Sequence, residues 1–202
     1  MTTILSDLDG VLVDSHASIM RAWRWWGAAH GVESEAIEGV QHGRPSGEII
    51  ALLAPGLDAA AESRAIDLRQ ADDVGDVVAL PGAHDLFAGS DPVAIVTSCM
   101  VPLATARLGA IGLAVPKVLV TPERLSRGKP DPEGYLLAAR EMGAAPGDCV
   151  VLEDAPAGIR AGRAAGMHVV GITTTHDPAE LDAHELAPSI AAWLGSRNGA
   201  SG

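Results

Sequence analysis

Four short segments of this chain carry residue types that could do chemistry, each at the end of an apolar run. Ile4-Leu5 leads into Asp7-Leu8-Asp9-Gly10-Val11, with two carboxylates two positions apart and a glycine that lets the backbone turn sharply. Two like charges at a strand end do nothing for stability. In an open α/β sheet, however, the carboxyl ends of strands are where ligands sit. The simplest neutralising partner is Mg²⁺, a hard cation that takes oxygen ligands and keeps waters and substrate phosphate in its shell. Residues 93–98, Val-Ala-Ile-Val-Thr-Ser, read as a buried strand ending in hydroxyls suited to a phosphoryl oxygen. Arg127-Gly128-Lys129-Pro130-Asp131-Pro132 sets a cation in a turn-rich loop ahead of a helix. Residues 149–154, Cys-Val-Val-Leu-Glu-Asp, are another apolar strand closing on adjacent carboxylates. A nucleophile, an acid/base, a phosphate-binding hydroxyl, a neutralising lysine and a metal-binding acid are the set that phosphoryl transfer through an aspartyl-phosphate requires.

The elements that must position these groups are visible in the apolar periodicity. From Pro81 onward, short apolar runs at 93–96, 118–120, 149–152 and 168–172 alternate with helical patterns at 81–88, 101–111, 131–142 and 155–165. Strands alternating with helices of this length imply a parallel sheet with right-handed crossovers. Residues 15–80 break the rhythm: they are helical in pattern at 15–30, 48–53 and 59–70 and contain no convincing strand. Such an insertion after the first strand reads as a cap over the site, able to close against water and reopen. The Gly-, Ser- and Asn-rich stretch 195–202 reads as a frayed tail.

Composition narrows the classes. A chain of 202 residues with 48% hydrophobic content can bury one substantial core with a small inserted cap. The net charge of −12 argues against nucleic acid or an anionic membrane as partner. The two cysteines, Cys99 and Cys149, do not make a disulfide framework, and reduced thiols in the cytoplasm are expected. Charge appears by Asp7, too early for a signal peptide, and no stretch has the length of a membrane span. Trp23 and Trp26 stand at helical i, i+3 spacing and read as core of the helical insertion.

The four segments, in this order, resemble the four motifs of the haloacid dehalogenase superfamily: DLDGVLVDS, AIVTS, GKPDPEGY and VLEDAPAGI. The resemblance spans about residues 3–172. It implies an α/β fold, a doubly wound Rossmann-like parallel sheet of residues 1–14 and 81–202, with a helical cap at 15–80. It implies Mg²⁺ as cofactor and assigns roles. Asp7 is the nucleophile and Asp9 the general acid/base, which favours phosphatases and phosphomutases over dehalogenases and ATPases. Thr97 binds the phosphoryl group, with Ser98 as the alternative if the register slips by one, and Lys129 neutralises charge. Asp7 and Asp154 ligate the metal, joined by the Asp9 backbone carbonyl. Glu153 either binds it directly or orients a neighbour. Asp14 is a structural residue at the core–cap junction. Ser6 stands where relatives carry a bulky apolar residue, so looser packing is expected there.

Within the superfamily the chain looks most like hexitol and sugar phosphatases and the glycerol-phosphate and deoxyglucose-phosphate phosphatases. Shared stretches are Arg21-Ala22-Trp23, His42-Gly43-Arg44 and Glu153-Asp154-Ala155-Pro156-Ala157-Gly158. His42, Gly43 and Arg44 form the candidate substrate loop, and His16 is a weaker candidate near the hinge. The expected partner is a small phosphorylated metabolite, handled by a monomer. A β-phosphoglucomutase-like enzyme would share the core, but the mutase pattern has a His where this chain has Ile19, and its cap arginine lies further from the loop glycine than Arg44 does from Gly43. A receiver-type phosphoacceptor domain would carry its acceptor on a middle strand, whereas Asp7 follows the first.

Overall fold

The structure is a computed structural model that describes residues 2–39 and 46–199. The chain opens with β1 (Thr3–Ser6), β2 (Val13–Asp14) and helices α1 (His16–His30), α2 (Ser34–Glu38), α3 (Ser46–Leu53) and α4 (Ala59–Ala71). Then come β3 (Val78–Ala79), α5 (Ala83–Ala88), β4 (Val93–Val96), α6 (Val101–Ala110), β5 (Leu119–Val120), α7 (Glu133–Met142) and β6 (Cys149–Glu153). It closes with α8 (Pro156–Ala164), β7 (His168–Ile172), β8 (Glu185–Ala187) and α9 (Ile190–Gly199).

Six strands form a parallel sheet in the order β5-β4-β1-β6-β7-β8. The chain runs outward from β1 to β4 and β5, then returns across β1 to β6, β7 and β8. Strand order therefore reverses beside β1, where a crevice opens at the carboxyl ends. Alternation along each strand feeds both faces of the sheet. Ile4, Ile95, Leu152 and Val170 pack on one face with Leu103, Leu108, Ile190 and Trp193. Leu5, Val96, Val151 and Val169 pack on the other with Tyr135, Ala138 and Ile159. The doubly wound α/β fold expected from the sequence is thus present.

Helices α1, α2, α3 and α4 close around a separate apolar cluster of Trp23, Trp26, Ile37, Ile49, Ile50 and Ile66. The two indoles meet edge-on at 5.5 Å between ring centroids, as their spacing suggested. Trp26 Nε1 donates to Glu62 Oε2 at 2.9 Å, tying α1 to α4. Asp58 caps α4 by accepting from the amides of Ala60 and Ala61, and Gly31 ends α1 in the left-handed conformation.

Two expectations need correction. The segment 15–80 contains a strand: β3 pairs antiparallel with β2, and the Leu80 amide extends the ribbon to Leu12 O. Two residues are too few for alternation to register, and the pairing partner lies over sixty positions away. Of the stretch 195–202, residues 195–199 are helical rather than frayed, because Ile190 and Trp193 face the sheet core and draw the following turn with them, while 200–202 lie outside the described residues. Among the described residues no helix is long and apolar enough to cross a membrane.

Trp26 is fully buried at the centre of the insertion's own cluster. Trp26→Ala should cost about 3–5 kcal/mol in denaturant unfolding, the usual range for emptying a large aromatic site.

Candidate active site

The site assembles where three strand ends meet. Asp7 follows β1, Thr97 follows β4, Glu153 is the last residue of β6 and Asp154 comes next. Asp7, Glu153 and Asp154 bring one carboxylate oxygen each within 4.8 Å of one another. Lys129, in the loop ahead of α7, reaches over them. Its ammonium lies 3.0 Å from Asp7 Oδ1 and 2.6 Å from Glu153 Oε1, and donates to Val96 O at 3.0 Å. All three ammonium donors are therefore spent.

Burial and crowding set the electrostatics. Burial pushes the Asp7 carboxyl up to about 7; Lys129 opposes this, while Glu153 and Asp9 add to it. Burial, then the charges of Asp7 and Glu153, holds Asp154 well above the carboxylate range. Burial works against the Lys129 ammonium, but Asp7 and Glu153 more than offset it and raise its pKa. One lysine thus faces three acids, and the residual negative charge suits a divalent, oxygen-seeking cation. A cradle has been left open around the same oxygens. A Cβ on Gly10, whose φ is +71°, would lie 2.1 Å from Asp154 Oδ2. Thr175 Oγ1 donates to that oxygen, and Thr174 Oγ1 donates to Gly10 O.

Glu153 is fully buried and committed to neighbours. Oε1 accepts from Tyr135 OH at 2.6 Å as well as from Lys129. Burial, then the Glu153 charge, raises the Tyr135 pKa well above normal, so the phenol keeps the proton it donates. A Cβ on Gly158 would meet Glu153 Oε1 at 1.7 Å, so only glycine lets α8 pass this close.

Asp9 is held apart from the three-acid cluster. Its Oδ1 accepts from Ser15 Oγ at 2.5 Å, and its Oδ2 from Cys99 Sγ at 2.9 Å and Arg107 Nη1 at 2.5 Å. Arg107 is 1% exposed, and its Nη2 donates to Gln70 Oε1 at the end of α4. The inserted helices thus reach the Asp9 carboxylate through a buried guanidinium.

Thr97 Oγ1 accepts from the Cys99 amide at 3.1 Å, which leaves the hydroxyl proton to donate. Ser98 lines a cavity of about 560 Å³ together with Asp7 and Lys129. Ser63, Arg64 and Asp67 of α4 line the same cavity. Ser6 corrects another expectation: it is fully buried and its hydroxyl donates to Asp7 O at 2.7 Å, so the position is hydrogen-bonded rather than loosely packed. Asp14 is exposed in β2 and accepts from the His16 amide. His16 is exposed at the start of α1. His42, Gly43 and Arg44 lie outside the described residues.

Sequence reasoning missed Arg107, Gln70, Tyr135, Thr175 and the α4 wall. Arg107 did leave a signal, since it interrupts the apolar stripe Leu103, Ala104, Leu108 of α6. Tyr135, the one tyrosine of the chain, reads as ordinary core in the stripe with Ala138 and Ala139.

Carboxylates at the switch point of a parallel sheet, beside a buried lysine, suit a divalent cation and an anionic ligand. Compared with known proteins, residues 1–166 match the haloacid dehalogenase-like hydrolase family. The chain is 41% identical over 189 residues to hexitol phosphatase A of Escherichia coli strain K12, covering 90% of this chain and 88% of that protein. It is 35% identical over 202 residues to 2-deoxyglucose-6-phosphate phosphatase 2 of Saccharomyces cerevisiae, covering 88% and 82%. Among solved structures, a hydrolase from Pseudomonas syringae superposes with a TM-score of 0.83 at 28% identity, covering 98% of this chain and 99% of that one. The chain belongs to the haloacid dehalogenase-like hydrolases and is an enzyme.

Gly158→Ala forces α8 or the Glu153 carboxylate to move. It should destabilise the protein by about 1–3 kcal/mol in denaturant unfolding, the cost of overpacking a rigid site.

Proposed function

We propose that this hydrolase is a Mg²⁺-dependent phosphatase of small phosphorylated metabolites: sugar, sugar-alcohol or glycerol phosphates. The observation that carries this reading is the Lys129 ammonium bridging Asp7 and Glu153 on the floor of the cavity. The relatives matched along most of the chain act, by name, on hexitol and deoxyglucose phosphates, which favours hydrolysis over the mutase alternative.

Asp7 Oδ attacks phosphorus in line, and the bond to the leaving oxygen breaks. Lys129 keeps Asp7 ionised and screens the incoming anion. Thr97 and Ser98, with neighbouring amides, hold the phosphoryl oxygens. Asp9 exchanges its present partners for the leaving oxygen and gives it a proton. It then takes a proton from a water that attacks the aspartyl-phosphate at phosphorus and returns Asp7. Asp7 and Asp154 would hold the metal together with the Asp9 carbonyl, and Glu153 orients Lys129. Mg²⁺, when bound, neutralises charge shared by the nucleophile and the phosphate. Residues 15–80 act as a cap that excludes water during the reaction, and His42 and Arg44 are its candidate substrate contacts.

Phosphate release across a panel of sugar, sugar-alcohol and glycerol phosphates tests the activity. Release should require Mg²⁺ and fall at least about a thousandfold in Asp7→Asn, since the nucleophile is gone. Persistent release in Asp7→Asn, or isomerisation of a hexose 1-phosphate without release, would overturn the reading.

Metal binding has its own readout. At a hundredfold excess over Kd, Mg²⁺ should stabilise the protein by about 2.7 kcal/mol. A rise in Tm on adding Mg²⁺ that disappears in Asp154→Asn is the expected result.

A further inference from the structure

The cavity is lined by two unlike sets of groups. One is Asp7, Ser98 and Lys129, the reacting groups. The other comes from α4 of the insertion and the turn after β5, and consists of Asp67, Arg64 and Glu123. Met100, at the start of α6 and two residues beyond Ser98, lines it as well. The first amides of a helix lack intrahelical partners and favour anions, so a second phosphate on a substrate would find its natural seat there.

That seat is taken by protein carboxylates. The Met100 amide donates to Asp67 Oδ2 at 3.0 Å, and the Val101 amide donates to Glu123 Oε1 at 2.9 Å. Asp67 is half-buried on the inner wall, whereas Glu123 is exposed at the rim, so Asp67 is the less screened of the two. Burial works against the Glu123 carboxylate, but the Val101 amide, then the Thr121 hydroxyl and, least, the Arg64 charge hold its pKa below the usual value. Arg107 is within electrostatic reach of Asp67 but is spent on Asp9 and Gln70. Among the described residues, this second set therefore presents two carboxylates and one guanidinium to the cavity. Asp67 Oδ1 takes no protein donor there, and a carboxylate oxygen is an acceptor that a hydroxyl can satisfy.

We infer that Asp67, supported by Glu123, is a specificity determinant: it accepts hydrogen bonds from the hydroxyls of a neutral polyhydroxylated leaving group and rejects a second phosphate. The enzyme then takes monophosphates and discriminates against bisphosphates of the same carbon skeleton. Selection of this kind works by repulsion as much as by attraction. The inference rests on the phosphatase reading above and narrows its substrate class.

The test compares kcat/KM for glucose 6-phosphate with glucose 1,6-bisphosphate, and sorbitol 6-phosphate with sorbitol 1,6-bisphosphate, using the full chain with Mg²⁺. The wild type should favour the monophosphate by about tenfold or more, the scale of one unfavourable charge contact. Asp67→Asn keeps an acceptor for the Met100 amide and removes the charge. It should shrink the ratio at least about threefold, mainly through KM, with Glu123→Gln giving a smaller change in the same direction. Each ratio is measured within one protein preparation, so partial loss of folded enzyme cancels. A wild-type ratio near one, or a ratio that neither variant moves, overturns the inference and leaves the phosphatase reading intact. No release from any of these esters or from p-nitrophenyl phosphate overturns both.

Discussion

The contact on which the rest depends is the Lys129 ammonium among the carboxylates. Removing an acid cluster from water costs several kcal/mol per ion unless the charges are paired and hydrogen-bonded. Lys129 meets that demand for Asp7 and Glu153 with direct contacts of 3.0 and 2.6 Å. Val96 O holds the third ammonium donor, which ties the cation to the end of β4. Tyr135 supplies Glu153 with a second partner from α7, and the bare Cα of Gly158 admits that carboxylate beneath α8. Five elements thus converge on one ammonium group. Asp7 is oriented because its neighbours are already locked.

The pairing is incomplete by design of the residue set. Three acids share one lysine, and burial followed by repulsion among the acids raises the pKa values of Asp7 and Asp154. Gly10 and Thr175 both approach the Asp154 carboxylate closely, and only a glycine fits at position 10. Strain of this kind is concentrated at the reacting centre, while the sheet beneath it is apolar on both faces.

A second buried cation joins the helical insertion to the chemistry. Arg107 takes Asp9 on one side and Gln70 of α4 on the other. Arg21 on α1 clamps Asp73 and Asp76 just beyond α4, on the path back to β3. The latter pairs are substantially exposed and add little stability, but they fix the exit of the insertion. Through these contacts the helical insertion and the Asp9 carboxylate are mechanically linked.

The sequence by itself determined the strand-and-helix alternation, the helical insertion and the identities of Asp7, Asp9, Thr97, Lys129, Glu153 and Asp154. It did so because each stands at a fixed offset from an apolar run or a turn, and local periodicity is a property of neighbours in the chain. It also placed Trp23 and Trp26 in the insertion's core, for the same reason. Only the tertiary structure decided which groups meet. That Glu153 faces Lys129 and Tyr135, that Asp9 faces Arg107, and that Asp67 caps α6 across the cavity depend on contacts spanning 18 to 98 positions. The β2–β3 ribbon and the docking of α9 belong with them. Such contacts are selected by the packing of whole layers, and no short stretch of sequence contains both partners.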